Sequence, residues 1–171
     1  RSFHRNVDNR SYEYQGTYRS LYWRLSKHNL YGQWSKSMSQ LRSDANRCFV
    51  CGPGNPIGLK LNFRLEDDIC HSEFTPGADH CGYDSVTHGG IVFSALDDVM
   101  ANWLFLKGFK AFTAKCDIRY RDALPIGTTV RLEGHCIKQK ARLTQMKGLM
   151  IRNDTNEVVA ETEAAFMMIA D

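Results

Sequence analysis

The segment with the most chemical content runs Thr87-His88-Gly89-Gly90-Ile91-Val92-Phe93-Ser94-Ala95-Leu96-Asp97-Asp98. Its pattern predicts a long helix from Gly89 to Lys107, stopped by Gly108. Two glycines at a helix start let another backbone or a ligand come very close. The first turn has N–H groups without helical partners and the positive end of the helix dipole. Such N–H groups can hold a developing oxyanion. Asp97 and Asp98 follow about two turns later in an otherwise apolar helix. A carboxylate there loses hydration, which raises its pKa toward a value useful for a base. Burying it unpaired is costly, so it needs a reason to be there. Plainer readings exist for the same residues. A glycine pair can serve packing alone, and an aspartate in a helix can be solvated or salt-bridged.

The flanking pattern says what positions this segment. Leu59, Leu61, Phe63 and Leu65 alternate with polar residues, which predicts a half-buried strand. Ile69–Phe74 reads as a second strand and Thr75–Thr87 as a loop. Four strands are predicted after the helix, over Ala111–Tyr120, Thr128–Gln139, Arg142–Asn153 and Glu157–Ile169. The helix carries Ile91, Val92, Phe93, Leu96, Val99, Met100, Trp103, Leu104 and Phe105 in nearly every direction. A helix apolar all round is expected to be buried on all sides. The layout is therefore α+β, a curved sheet wrapped around a central helix.

The 171 residues suit one domain with a substantial core. The formal charge of +3 is too small to imply a nucleic-acid partner. Its distribution is uneven: nine basic and three acidic residues lie at or before Arg47. Residues 1–46 therefore read as a basic N-terminal extension and 47–171 as the domain. An Arg-rich, Ser-rich leader is also the composition of an organelle transit peptide. The first residue is Arg, so the natural start is expected to be missing, processed or replaced. No uninterrupted apolar run of the length of a membrane span is seen. Six dispersed cysteines favour a reducing compartment, and the expected location is cytoplasmic, or mitochondrial if the leader is a transit remnant. Cys48-x-x-Cys51 with His71, His80 and Cys81 has zinc-like ingredients but no clean second ligand pair. No metal and no cofactor are expected, and these cysteines are assigned to turn and core.

His88-Gly89-Gly90 with an acid nine positions after the histidine resembles hotdog-fold thioesterases of the phenylacetic-acid-degradation (PaaI) and THEM type. Cys48-Phe-Val-Cys-Gly52 with Asn55-Pro-Ile-Gly-Leu59 resembles the opening element of some of these proteins. Ile118-Arg-Tyr-Arg-Asp-Ala-Leu-Pro-Ile-Gly127 resembles their strand and turn after the helix. The resemblance covers about residues 48–169 and not the leader.

That resemblance implies a hotdog fold and hydrolysis of an acyl-CoA thioester by a homodimer or homotetramer. The Gly89 amide would polarise the thioester carbonyl, and His88 would shape that site without being the base. Asp97, from the other subunit, would act as general base or nucleophile, and Thr113 would help hold the water. Gly90 would belong to the substrate site. Some relatives carry an asparagine where this chain has Gly82; Asp84 or Ser85 are candidates to replace it. Arg119 and Arg121, with Lys115, are candidates for the phosphates of coenzyme A, because guanidinium forks suit phosphate, though simple solvation explains each as well. Phe93, Trp103 and Phe105 are candidates for an acyl or aryl pocket, or for core. Rival readings are a thioesterase acting on a carrier-protein-bound or biosynthetic intermediate, and a non-catalytic acyl-CoA-binding protein. A hotdog dehydratase is disfavoured because its motif spacing is not seen.

Overall fold

The computed structural model describes residues 45–169. The basic extension predicted for residues 1–46 lies, apart from its last two positions, outside the described residues. Six strands form one antiparallel sheet: β1 (Arg64–Glu66), β2 (Ile69–Phe74), β5 (Ala111–Tyr120), β6 (Val130–Lys140), β7 (Leu143–Arg152) and β8 (Val158–Met168). Their spatial order is β1-β2-β6-β7-β8-β5. A short hairpin, β3 (Cys81–Tyr83) with β4 (Val86–Thr87), stands apart from that sheet. One long helix among the described residues, α1 (Gly89–Leu106), lies across the inner face of the sheet.

Alternation along the strands builds the floor under α1. Val130 and Leu132 of β6, Met146 and Met150 of β7, and Ala160, Ala164 and Phe166 of β8 are buried on that face. Gly134 and Gly148 are directly paired across β6 and β7. A Cβ on Gly134 would lie 2.6 Å from the Val99 carbonyl oxygen, and one on Gly148 would lie 2.8 Å from Thr162 Cγ2. Gly134 is glycine because the helix backbone descends onto the sheet there, whereas at Gly148 the close obstacle is the Thr162 side chain, with the Leu96 carbonyl of the helix at 3.4 Å. Ala95, Leu96, Val99, Met100 and Leu104 fill the interface from the helix side.

Three expectations change. The alternation from Leu59 to Leu65 yields only the three-residue β1. Leu59 and Leu61 instead donate their N–H groups to the carbonyls of Phe49 and Val50, and Lys60 between them has φ 59°. A left-handed residue breaks the extended run, so period-two spacing here serves a tight loop. Nor is α1 buried on all sides. Phe93, Asp97, Ala101 and Phe105 are half-buried and Gly90 is exposed, so one stripe is only partly covered. The segment Thr75–Thr87 also contains more structure than a loop, a 3-10 turn at Ala78–His80 and the β3–β4 hairpin. By length and composition α1 would suffice to cross a membrane, yet its buried residues form the core of this domain.

Candidate active site

The helix start is tightly specified. His88 is the N-cap of α1 with extended backbone, and its ring Nδ1 accepts from the Gly90 N–H at 2.9 Å. That bond turns the imidazole into a cap and occupies the Gly90 donor. The Ile91 and Val92 N–H groups both return to the His88 carbonyl. Among the described residues the Gly89 N–H has no acceptor, so it remains an open first-turn donor. His88 is held in turn by its own N–H, which donates to the His80 carbonyl at 2.8 Å.

Further along the helix, Asp97 Oδ1 accepts from the Thr113 hydroxyl at 2.8 Å. Loss of hydration pushes the Asp97 carboxyl above its ordinary value, and the Thr113 hydrogen bond partly opposes this. Thr113 faces the helix because β5 contains a bulge. Its register with β8 shifts between Thr113 and Lys115, leaving Ala114 as the extra residue. Cys116 and Ile118 point inward from β5, so strict alternation would turn Thr113 outward. The bulge reverses the parity, placing Ala111 and Thr113 on the inner side and Phe112 outside.

Residues 84–159 match the family model described as the thioesterase superfamily. That match spans less than half of the chain and makes it similar to the thioesterase superfamily over those residues. The solved structures it resembles share the hotdog fold. A Streptococcus mutans protein bound to acetyl-CoA is 17% identical, with 65% of this chain and 90% of that chain covered and a TM-score of 0.61. A Streptococcus pneumoniae hypothetical thioesterase with coenzyme A is 15% identical, with 65% and 90% covered and a TM-score of 0.61. The Escherichia coli PaaI protein from the phenylacetic acid degradation operon is 18% identical, with 66% and 81% covered and a TM-score of 0.61. No curated protein matches the chain.

Within this hotdog domain the other sequence candidates separate. Gly82 lies against His88, where an added Cβ would meet the histidine Cα at 3.1 Å. Asp84 and Ser85 form the exposed β3–β4 turn, with Ser85 at φ 66° and its carbonyl accepting from the Ile126 N–H. Arg119 lies six residues beyond Thr113, about 20 Å along the strand. Arg121 is already paired with Glu161, whose carboxyl is held below its usual range by that guanidinium. Lys115 pairs with Asp117 at 2.7 Å. Lys115 and Arg119 therefore sit on the outer face of β5 and Arg121 just past its end, with Lys115 and Arg121 already charge-paired. Trp103 is no pocket wall. It is buried, its indole N–H donates to the Asp68 carbonyl at 2.7 Å, and Lys107 lies over its ring.

The fold brings together two features that the sequence alone does not reveal. Tyr120 donates its hydroxyl to the Gly89 carbonyl at 2.9 Å, bridging the end of β5 to the helix start. An aromatic at a strand end has many uses, and nothing in its spacing points to Gly89. About 100° around α1 from Asp97, Asp98 meets the loop before β1. Cys48 Sγ lies 4.0 Å from Asp98 Oδ1, and Asn102 Nδ2 donates to Asp98 Oδ2 at 3.0 Å. Cys51 joins them, its thiol pushed up by burial and by the Asp98 carboxylate. His71, His80 and Cys81 stay out of that cluster. His80 instead accepts from the Gly77 N–H and packs on Phe74.

Proposed function

We propose that this protein hydrolyses acyl-CoA thioesters, with Asp97 as the base or nucleophile, Thr113 orienting it, and the Gly89 N–H receiving the developing oxyanion. The observation that carries the reading is the Thr113–Asp97 hydrogen bond on a half-buried carboxylate. A carboxylate of raised pKa is a stronger base, and a hydroxyl on one oxygen leaves the other to take a proton from water. Two other structures of the Streptococcus pneumoniae thioesterase carry single alanine replacements, one at an aspartate and one at a threonine sixteen positions later. Asp97 and Thr113 have that same separation. Neighbours bound to acetyl-CoA and to coenzyme A support a CoA thioester as substrate.

Helix geometry supports a second copy in the site. Gly89 and Asp97 are eight residues apart on α1, about 12 Å along its axis. The carbonyl oxygen and the attacking water of one thioester must lie about 3 Å from their partners. One chain therefore supplies either the oxyanion donor or the base to a given substrate, and a partner supplies the other. The open edge of β5, with Phe112 and Tyr120 exposed, and the half-buried stripe of α1 fit such a homodimer. The test is thiol release from a panel of acyl-CoAs, run beside an acylated carrier protein, with the mass of the assembly in solution. Turnover by a dimer supports the reading. No release from any acyl-CoA, or full activity in a monomer, overturns it.

A further inference from the structure

We infer that Cys48, Cys51 and Asp98 form a site for one thiophilic divalent cation, zinc by preference, which clips the loop before β1 onto α1. The site is independent of the proposed hydrolysis and lies about 100° around the helix from Asp97. Two of its three ligands precede residues 84–159, so the family match says nothing about them.

The geometry is already close to that of a ligand set. One atom from each residue, two Sγ and a carboxylate oxygen, lie within 4.8 Å of one another. Tetrahedral zinc with Zn–S near 2.3 Å holds its donor atoms roughly 3.5–3.8 Å apart, so at most about 1.3 Å of contraction is needed. The Cys51 N–H points at Cys48 Sγ at 3.5 Å, a bond that strengthens when the sulfur is a thiolate. The turn that aims both sulfurs is rigid. Gly52 donates to the Cys48 carbonyl at 3.0 Å, and a Cβ on Gly52 would lie 2.4 Å from Cys48 N. Lys60 Nζ closes the same turn by donating to the carbonyls of Gly52 at 3.1 Å and Pro53 at 2.7 Å.

The carboxylate is oriented as well. Asn102, itself buried, donates to Asp98 Oδ2 and leaves Oδ1 toward Cys48. Such a partner is what a ligating carboxylate needs to keep its direction. Two soft thiolates select zinc over magnesium or calcium, and the fourth position falls to water. Binding releases the two thiol protons. All three ligands are half-buried, so an ion can reach them and is then only partly hydrated.

The experiment uses the full chain, without a histidine tag, purified under reducing conditions. Metal content is measured by mass spectrometry, and cobalt(II) is then titrated into chelator-treated protein. The expected result is about one zinc per chain, and cobalt binding with thiolate-to-metal charge-transfer absorption. Cys48→Ser and Cys51→Ser should each lower bound zinc at least about tenfold, and Asn102→Ala should weaken affinity by about 10- to 100-fold. Cys81→Ser, an exposed cysteine outside the cluster, should keep the metal. If the cysteine variants fail to fold, the cobalt spectrum of the unaltered chain decides alone. The inference is overturned by a metal-free chain that develops no thiolate–cobalt band. Unchanged zinc in Cys48→Ser, zinc lost in Cys81→Ser, or a Cys48–Cys51 disulfide in the purified chain overturns it equally.

Discussion

Asp97 and Asp98 are adjacent, carry the same charge, and leave α1 about 100° apart, yet their surroundings differ in kind. Asp97 faces the half-open stripe of the helix and has one hydroxyl partner, Thr113. Asp98 faces a packed loop and is enclosed by Cys48, Cys51 and the amide of Asn102. One carboxylate keeps an oxygen available to an incoming molecule; the other is committed to holding the chain together. The difference teaches that an acid in an apolar helix has no single meaning. Its meaning is set by whether the facing element supplies enough partners to use up both oxygens.

The sharpest way to break the comparison is to remove each charge in turn. Asp97→Asn should lower the catalytic rate by about 100- to 10,000-fold with little change in the Michaelis constant. Asp98→Asn should cost the rate far less and lower the thermal midpoint instead. Steady-state hydrolysis of one good acyl-CoA and thermal melts of both variants read this out. The stability sign is also fixed. The folded Asp97 carboxyl has a raised pKa, so the folded chain binds that proton more tightly than the unfolded chain. The penalty is present at neutral pH and is relieved as pH falls through the raised value. Asp97→Asn should therefore melt at or above the unaltered chain at neutral pH. A dead Asp98→Asn beside an active Asp97→Asn would reverse the assignment.

Thr113→Val sharpens the same side by a smaller step. A hydrogen bond to a charged group contributes about 1.5–3 kcal/mol, and Thr113 is exposed, which places the effect near the lower end. The rate should fall about tenfold. Thr113 is the one influence that lowers the Asp97 pKa, so its removal moves the acidic limb of the pH–rate profile upward. A limb that stays in place would show that Asp97 is not the titrating base.

Legibility in the sequence divides along the same line. The span of β5, the start of α1 and the two carboxylates follow from periodicity and from glycine placement. The inward direction of Thr113 does not, because it depends on a bulge at Ala114 that no spacing rule marks. The resemblance supplied Thr113 where alternation along the strand would have turned it away. The Asp98 cluster was hidden for a different reason. Its cysteines lie about fifty residues before the carboxylate, and His80, grouped with them by the sequence, is used elsewhere. The β3–β4 hairpin escaped notice because it is short, and Cys81–Tyr83 is exposed throughout.

Both carboxylates also depend on the same floor. Gly134 lies under the Val99 carbonyl, one residue past Asp98. Gly134→Ala must push α1 away from the sheet, and overpacking of this kind costs about 1–3 kcal/mol. The melt should fall accordingly, and the Asp97–Thr113 and Asp98–Asn102 contacts should loosen together. Hydrolysis and zinc content measured on one preparation test this. Loss of one property with the other intact would mean that the two sides of α1 are supported separately.

The smallest expected effect is at Tyr120. Its hydroxyl donates to the Gly89 carbonyl, which belongs to the peptide joining Gly89 to Gly90. The Gly89 N–H belongs to the preceding peptide, so Tyr120 does not touch the proposed oxyanion donor. It fixes the plane of the next peptide, whose N–H is already taken by His88 Nδ1. The two bonds together hold the glycine pair from either side, and two glycines in succession have the most backbone freedom to lose. Tyr120→Phe keeps the ring and removes one neutral hydrogen bond of about 1 kcal/mol, equivalent to about fivefold in rate. Because the oxyanion exists only past the ground state, the loss should fall on the catalytic rate and leave the Michaelis constant nearly unchanged. Zinc content should be unaffected, since Tyr120 lies on β5 and the Asp98 cluster faces the loop before β1. A raised Michaelis constant with normal turnover would instead assign Tyr120 to substrate binding, and no change in either would reduce the Tyr120–Gly89 contact to a packing feature of the β5 end.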